Sequence, residues 1–189
     1  MHKIFYLLSI AWILCLSLSV NAYTLANQQL EQIITLDDQT QLTLNGAGIR
    51  KKYFIDIYIA ALYLETPTKD LNKILYSNNR IRISLFFLYD TVSAEKLREG
   101  WLDGFIDNNA PYHLATMQTR LNRSLGLLQT MHSGDRLYLD YIPDQGTFLS
   151  INDASKGFIP GRDFFQAILK IWLGEKPAYP SLKEAMLGI

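Results

Sequence analysis

The sequence predicts an α+β fold in which helices cover one face of a β-sheet. Three observations in its 189 residues predict this class. Segments rich in β-branched and aromatic residues, typical of strands, fill much of the first half of the chain. From Ser93 the apolar residues recur at helical spacing. Within residues 80–89 the second half is apolar on both faces, as in a strand covered by helices.

Residues 1–22 have the pattern of a secretory signal peptide. Lys3 precedes an uncharged apolar run over residues 4–20, and a cleavage site follows it. We expect cleavage after Ala22; an uncleaved anchor is the alternative, because the run is just long enough to cross a bilayer. The mature chain, residues 23–189, is then periplasmic or secreted, and it has no transmembrane segment.

The first half of the mature chain predicts a hairpin and two longer strands. Residues 33–36 and 41–44 are short apolar stretches separated by four residues that favour turns. The glycine pair at 46–48 predicts a bend or a bulge. Residues 53–65 are the longest strand candidate, and residues 80–89 are the next strand.

The middle of the chain predicts two helices. Leu97, Trp101 and Phe105 are spaced by four and form the buried stripe of the first helix. A second apolar stripe predicts a helix over residues 111–131, with a proline in its first turn. Gly134 is well placed to end that helix.

The last third predicts another hairpin and two helices. Residues 137–142 and 147–151 are strand-like and flank a turn that contains proline and glycine. An apolar stripe over residues 164–172 predicts a helix that ends at Gly174. Residues 181–184 have the pattern of a capping box that opens a short final helix.

Charge and motifs exclude several classes of function. The chain carries 18 basic and 18 acidic side chains, so we expect no nucleic-acid binding. Residues 46–48 lack the third glycine and the following helix of a nucleotide site. We expect no metal and no cofactor, because His113 and His132 stand at opposite ends of one predicted helix. Cys15 lies in the signal segment, so the mature chain has no thiol nucleophile.

Three segments carry a resemblance to a known family. Residues 44–50 read Leu-Asn-Gly-Ala-Gly-Ile-Arg, and residues 59–65 read Ile-Ala-Ala-Leu-Tyr-Leu-Glu. Residues 157–188, which begin Gly-Phe-Ile-Pro-Gly-Arg-Asp-Phe-Phe, are the most specific part. Together they resemble the chalcone isomerase-like family, in its secreted bacterial branch. The resemblance implies an open-faced β-sandwich, a large antiparallel sheet backed by a layer of helices, with a ligand cleft between the layers.

The resemblance also implies where an enzymatic site would lie. Plant enzymes of this family close a hydroxychalcone into a flavanone, using an arginine, a threonine, a tyrosine, an asparagine and a Ser/Thr. Arg50 matches the arginine. The other positions correspond to Tyr58, Val92, Glu99 and Ile171, which lack the required groups. The catalytic residues are therefore unknown, and we do not expect efficient chalcone isomerisation.

Other members of the family bind fatty acids without catalysis, and an arginine and a tyrosine hold the carboxylate. Arg50 and Tyr58 resemble that pair. A guanidinium and a phenol suit a carboxylate because both donate hydrogen bonds. Phe54, Ala60 and Leu62 are expected to form an apolar wall on the same strand face. The resemblance thus predicts a non-catalytic binder of a small amphipathic or carboxylate ligand, such as a fatty acid.

Three alternatives stay open. In the first, Arg50 pairs with Asp56 on the same strand face and only stabilises the bend, while Tyr58 fills space. In the second, the chain is an isomerase (an intramolecular lyase) with a different substrate and Tyr58 as its acid-base group. In the third, it is an accessory protein that binds another secreted protein through its surface.

Overall fold

A seven-stranded antiparallel sheet forms the centre of the computed structural model, which describes residues 23–189. The predicted signal segment, residues 1–22, lies outside the described residues. The strands are β1 Tyr23–Leu25, β2 Gln28–Leu30, β3 Ile33–Thr35, β4 Gln41–Lys52, β5 Ile55–Leu64, β6 Ile81–Phe87, β7 Thr91–Val92, β8 Met131–His132, β9 Arg136–Ile142, β10 Gly146–Ile151 and β11 Ala154–Pro160. The helices are α1 Leu71–Tyr76, α2 Ala94–Asn108, α3 Pro111–Gly126, α4 Arg162–Leu173 and α5 Pro180–Met186.

The large sheet has the order β11-β10-β9-β6-β5-β4-β3. The predicted hairpin of β3 and β4 is confirmed, and β4 continues through the glycine pair as a bulged strand rather than a bend. With 12 residues, β4 is longer than β5, which has 10. The strand expected over residues 53–65 starts two residues later, because Tyr53 and Phe54 form the turn of the β4–β5 hairpin.

Strand β5 is buried on both faces. One set of side chains packs under the helices: Tyr58, Ala60, Leu62 and Leu64. The other set belongs to a second cluster on the opposite face: Ile59, Ala61 and Tyr63. Leu25 and Leu30, from the small β1–β2 hairpin, pack against that second cluster. From Tyr58 to Leu64 the side chains alternate between the two clusters, so both faces of this part of the strand lie in the core.

Helices α2 and α4 form the layer that covers the sheet. The Ser93 hydroxyl accepts a hydrogen bond from the Lys96 backbone N–H at 3.2 Å and so caps α2. Trp101 of α2 and Trp172 of α4 meet edge to face, with ring centroids 5.6 Å apart. The predicted stripes of both helices are buried. No helix within residues 23–189 is long and apolar enough to span a bilayer.

The second predicted helix is shorter than expected. Helix α3 ends at Gly126, whereas the apolar spacing predicted helix to about Met131. Met131 instead pairs with Val92 in the short β7–β8 ladder. Leu128 and Met131 are nevertheless fully buried. They are apolar because they belong to the core, although they lie outside the helix. Gly134 adopts a φ of 91° in the turn that follows.

Two features of the last third differ from the sequence prediction. Strand β11 was not predicted, because this edge strand is largely polar and exposed. Helix α5 begins at Pro180 after Tyr179, with no side-chain cap, so the expected capping box at residues 181–184 is wrong. Pro180 lacks a backbone N–H and suits the first helical position, which places Ser181 inside the helix.

Candidate functional site

Arg50 and Tyr58 face each other across β4 and β5. The strand register pairs them directly, and paired residues share one face of a sheet. The Arg50 guanidinium carbon lies 5.5 Å from the centroid of the Tyr58 ring. At this distance the cation interacts with the ring face. The two residues singled out from the sequence are therefore neighbours beneath the helical layer.

A β-bulge produces this pairing. Arg50 pairs with Tyr58 but Lys51 pairs with Asp56, so Ile57 is an extra residue in β5. Without the bulge, the ladder that runs through the Arg50–Tyr58 pair would place Ile57 opposite Lys51, and Asp56 would share the face of Arg50 and Tyr58. Because of the bulge, Asp56 shares a face with Lys51 and lies on the opposite face from Arg50.

The alternative in which Arg50 pairs with Asp56 is wrong. The Asp56 carboxylate accepts a hydrogen bond from the Lys51 ammonium at 2.6 Å. No carboxylate within residues 23–189 forms an ion pair with Arg50. The half-buried guanidinium instead lies beside Gly100 of α2, where a Cβ would be 3.8 Å from the arginine Nη2.

A cavity of about 430 Å³ lies between this end of β4 and β5 and the helices. Its volume is within the range of small-molecule sites, roughly 300–1,000 Å³. Arg50 lines it. Six of its apolar and aromatic lining residues are Ile57, Tyr58, Val92, Leu97, Trp101 and Ile171. The cavity thus combines the Arg50 cation with an apolar wall.

The Tyr58 hydroxyl is held by α4. It accepts a hydrogen bond from the Trp172 indole N–H at 3.0 Å, and Tyr58 is only 3% exposed. Burial raises the pKa of Tyr58 above its usual value, although the Arg50 charge and the Trp172 hydrogen bond act in the opposite direction. The phenol is therefore neutral near pH 7. Within residues 23–189 the proton of this hydroxyl has no hydrogen-bond acceptor.

Charged side chains surround the opening of the cavity. Lys52 of β4 and Lys96 of α2 lie there, together with Glu99 and Asp103 of α2. All four are exposed to solvent. With Arg50 included, cations outnumber anions among these lining residues, which favours an anionic head group over a cationic one.

The positions matched through the family resemblance meet at this cavity. Val92, Glu99 and Ile171 line it together with Arg50 and Tyr58. They lie on β7, α2 and α4, so residues far apart in sequence converge here. Their side chains are two aliphatic groups and an exposed carboxylate, and none of them is a phenol, an amide or a hydroxyl.

The expected apolar wall is wrong in its residues. Phe54 is 99% exposed, because it lies in the hairpin turn and not in the strand. Ala60 and Leu62 are fully buried in the core and do not line the cavity. Sequence reasoning placed Trp172 in the core but missed its contact with Tyr58. A buried indole N–H needs a hydrogen-bond acceptor, and this need could have indicated the contact.

No group of three or more His, Cys, Asp or Glu side chains in residues 23–189 is arranged to hold an ion. His113 lies in α3 and His132 in β8, where it is 3.6 Å from the Asp135 carboxylate.

The helical layer, the antiparallel sheet and the cavity between them define an α+β ligand-cleft protein. The chain belongs to the chalcone isomerase-like family, whose model matches residues 22–188. The predicted class, a large antiparallel sheet backed by helices, is confirmed. No curated protein sequence matches the chain.

A solved structure of an Arabidopsis thaliana protein has the same fold. That plant protein is described as a fatty-acid binding protein. It aligns with a TM-score of 0.62 and 14% sequence identity. The alignment covers 82% of this chain and 95% of the plant chain. The TM-score shows a shared fold, and at this low sequence identity the likeness shows the fold alone.

Proposed function

We propose that this protein binds a carboxylated amphipathic molecule, such as a fatty acid, without catalysis. The observation that carries the proposal is Arg50, a half-buried cation in an apolar cavity with no carboxylate partner in residues 23–189. A desolvated cation is costly unless an anion or other hydrogen-bond acceptor satisfies it. A ligand carboxylate would supply that partner, and the apolar wall would hold its chain.

Two donors suit the carboxylate. The guanidinium of Arg50 presents a planar fork that matches two carboxylate oxygens. The Tyr58 hydroxyl accepts from Trp172, so its own proton is left to donate to the ligand. The Arg50 cation lies against the Tyr58 ring, and both residues line the cavity. The description of the plant neighbour as a fatty-acid binding protein supports the same ligand class.

We also propose that residues 1–22 are a cleaved signal peptide and that the mature protein, of the secreted bacterial branch, is periplasmic or secreted. The basic start, the apolar run and the cleavage pattern support this. Expression of the full chain in a bacterium should yield, in the periplasmic or extracellular fraction, a protein that begins at Tyr23. A protein that keeps Met1 and stays in the membrane fraction would contradict it.

Every described strand and helix lies in residues 23–189, which also hold both hydrophobic clusters, so the mature protein retains the whole described fold.

The first experiment is mass spectrometry of small molecules extracted from the mature protein, exported and purified without detergent. Arg50→Ala is prepared in parallel. Arg123→Ala is the control, because Arg123 is an exposed arginine of α3 outside the cavity.

A carboxylate present in wild type and Arg123→Ala and absent from Arg50→Ala supports the proposal. The same ligand retained by all three proteins would overturn the role of Arg50. The isomerase alternative has its own readout: turnover of a hydroxychalcone that disappears in both Arg50→Ala and Tyr58→Phe would replace the binding proposal with catalysis.

Affinity can be measured with the chain's own fluorescence. Trp101 and Trp172 are the only tryptophans of residues 23–189; Trp101 lines the cavity, and Trp172 donates a hydrogen bond to Tyr58, which also lines it. Titration with decanoate should change their emission. We expect Arg50→Ala to raise Kd about ten- to a hundredfold, since a hydrogen bond to a charged group contributes about 1.5–3 kcal/mol. Arg50→Lys should fall between wild type and alanine, because lysine keeps the charge without the fork.

A further inference from the structure

The turn of the β4–β5 hairpin projects three large apolar side chains into solvent. Tyr53 is 84% exposed, Phe54 is 99% exposed and Ile55 is 47% exposed. We call residues 53–55 the hairpin tip. A single exposed apolar residue is ordinary, but three in succession at the end of a hairpin form a patch that marks an interaction site.

The backbone of the hairpin tip is unusual. Tyr53 adopts a φ of 56°, in the left-handed region where turns normally place glycine or asparagine. A bulky aromatic residue is strained there, and its exposed ring gains little packing in return. Folding alone therefore does not account for an aromatic pair in this turn.

The hairpin tip adjoins the opening of the cavity. Tyr53 and Ile55 line that opening, and so does Tyr89, which is 41% exposed. Lys52 and Lys96 lie at the same opening, and neither forms an ion pair within residues 23–189. Exposed apolar groups and unpaired cations thus surround one entrance.

We propose that the hairpin tip docks into the surface of a phospholipid bilayer, so that the opening of the cavity faces the lipid. Aromatic side chains beside lysines are the composition that membrane interfaces favour, with the rings at head-group depth and the cations near anionic lipid. Glu99 and Asp103 offset part of the positive charge at the opening, so the apolar tip supplies most of the affinity.

A bilayer suits this surface better than a protein partner does. A stable protein interface buries roughly 800 Å² on each side, and three side chains on a narrow turn cannot provide that area. A bilayer accepts a small projection without a matching groove. Docking stands on the hairpin tip alone, whereas exchange of ligand between the bilayer and the cavity rests on the proposed function.

The test is flotation of residues 23–189 with vesicles of equal parts phosphatidylcholine and phosphatidylglycerol. Phe54→Asp removes the most exposed ring, which does not line the cavity. Tyr112→Asp is the matched control, because Tyr112 is a 66% exposed aromatic residue of α3 outside the hairpin tip. Thermal unfolding of each variant checks that the fold is intact.

We expect wild type and Tyr112→Asp to float with the vesicles and Phe54→Asp to lose about tenfold or more in partitioning. No flotation of wild type, equal flotation of Phe54→Asp, or an equal loss in Tyr112→Asp would each overturn the inference. Decanoate titration without vesicles, read by tryptophan fluorescence, should be unchanged in Phe54→Asp. Absence of decanoate binding in wild type would count against the proposed function and leave the flotation result standing.

Discussion

The Tyr58 hydroxyl joins two layers of the molecule. Its oxygen accepts from Trp172 of α4, while its ring lies beside the Arg50 guanidinium of β4. The Trp172 hydrogen bond and the Arg50 contact thus hold the phenol from two directions. This contact also satisfies a buried indole N–H, which gives Tyr58 a part in stability as well as in the cavity.

Tyr58→Phe should destabilise the fold by about 1–3 kcal/mol, because it leaves the Trp172 N–H buried without an acceptor. The measurement is urea unfolding of residues 23–189. Tyr112→Phe is the control, since it removes an equivalent hydroxyl from an exposed ring. Identical unfolding midpoints for the two variants would contradict the structural part assigned to the Tyr58 hydroxyl.

Ligand affinity should depend on the charge of the ligand and not on Tyr58 ionisation. Burial raises the pKa of Tyr58, so the phenol remains a donor at and above pH 7. A carboxyl group loses its charge below about pH 4.5. Decanoate affinity should therefore be constant from about pH 6 to 9 and weaken below about pH 4.5. Decanol is the uncharged comparison, and a parallel loss of its affinity at low pH would refute this explanation.

At the scale of elements, the glycine pair of β4 brings α5 close to the sheet. A Cβ at Gly46 would lie 2.1 Å from the Ala185 carbonyl oxygen, and one at Gly48 would lie 2.7 Å from the Ala185 Cβ. Asn45 adds a hydrogen bond from its side-chain amide to the Met186 carbonyl at 2.9 Å. The glycines were predicted as a bend or bulge, and the packing of α5 on β4 is the second reason for them.

Gly46→Ala should cost about 1–3 kcal/mol of unfolding free energy, because the new methyl group would meet the backbone of α5. Gly126→Ala is the matched control. A Cβ at this last residue of α3 has no neighbour within 4 Å, so the exchange should be neutral or slightly stabilising. Urea midpoints of both variants test the comparison, and a Gly46→Ala protein as stable as Gly126→Ala would disprove it.

Over the whole molecule, several surface carboxylates depend on contacts that exist only in the folded chain. The backbone N–H of Thr40 lowers the pKa of Asp38, and that of His132 lowers the pKa of Asp135. Hydrogen bonds from Arg120 lower the pKa of Asp163, at 2.7 and 2.6 Å. When ionised, these carboxylates stabilise the folded state. The effect is modest because they lie near solvent.

The fold should therefore lose stability in acid. A carboxyl group whose pKa is lowered by folding stabilises the protein fully at pH values above the pKa that it has in the unfolded chain, about 3.9. This contribution is lost as the pH falls below that value. The urea midpoint should decrease between pH 5 and pH 2, and less steeply in Asp163→Asn. Asp107→Asn, at an exposed position of α2, should follow wild type. A midpoint that rises in acid would reverse the sign of this prediction.

Periodicity predicted the elements that contribute a full apolar stripe or a full strand. The stripes of α2 and α4 follow from helical spacing, and β6, β9 and most of β10 alternate between buried and partly buried side chains. Strand β5 is buried on both faces, and its β-branched and aromatic composition predicted it. The elements that were not predicted from the sequence are β1, β2, β7, β8, β11 and α1. The two-residue β8 is too short to show a period, and β11 is a polar edge strand.

By itself, the sequence determined the α+β class, the family and the choice of Arg50 and Tyr58 as the residues of interest. Their partners were decided by the tertiary structure. The bulge at Ile57 places Asp56 on the face of Lys51 and Tyr58 on the face of Arg50. The physical reason is that strand register depends on how two strands pair across a turn. One extra residue then changes which side chains share a face.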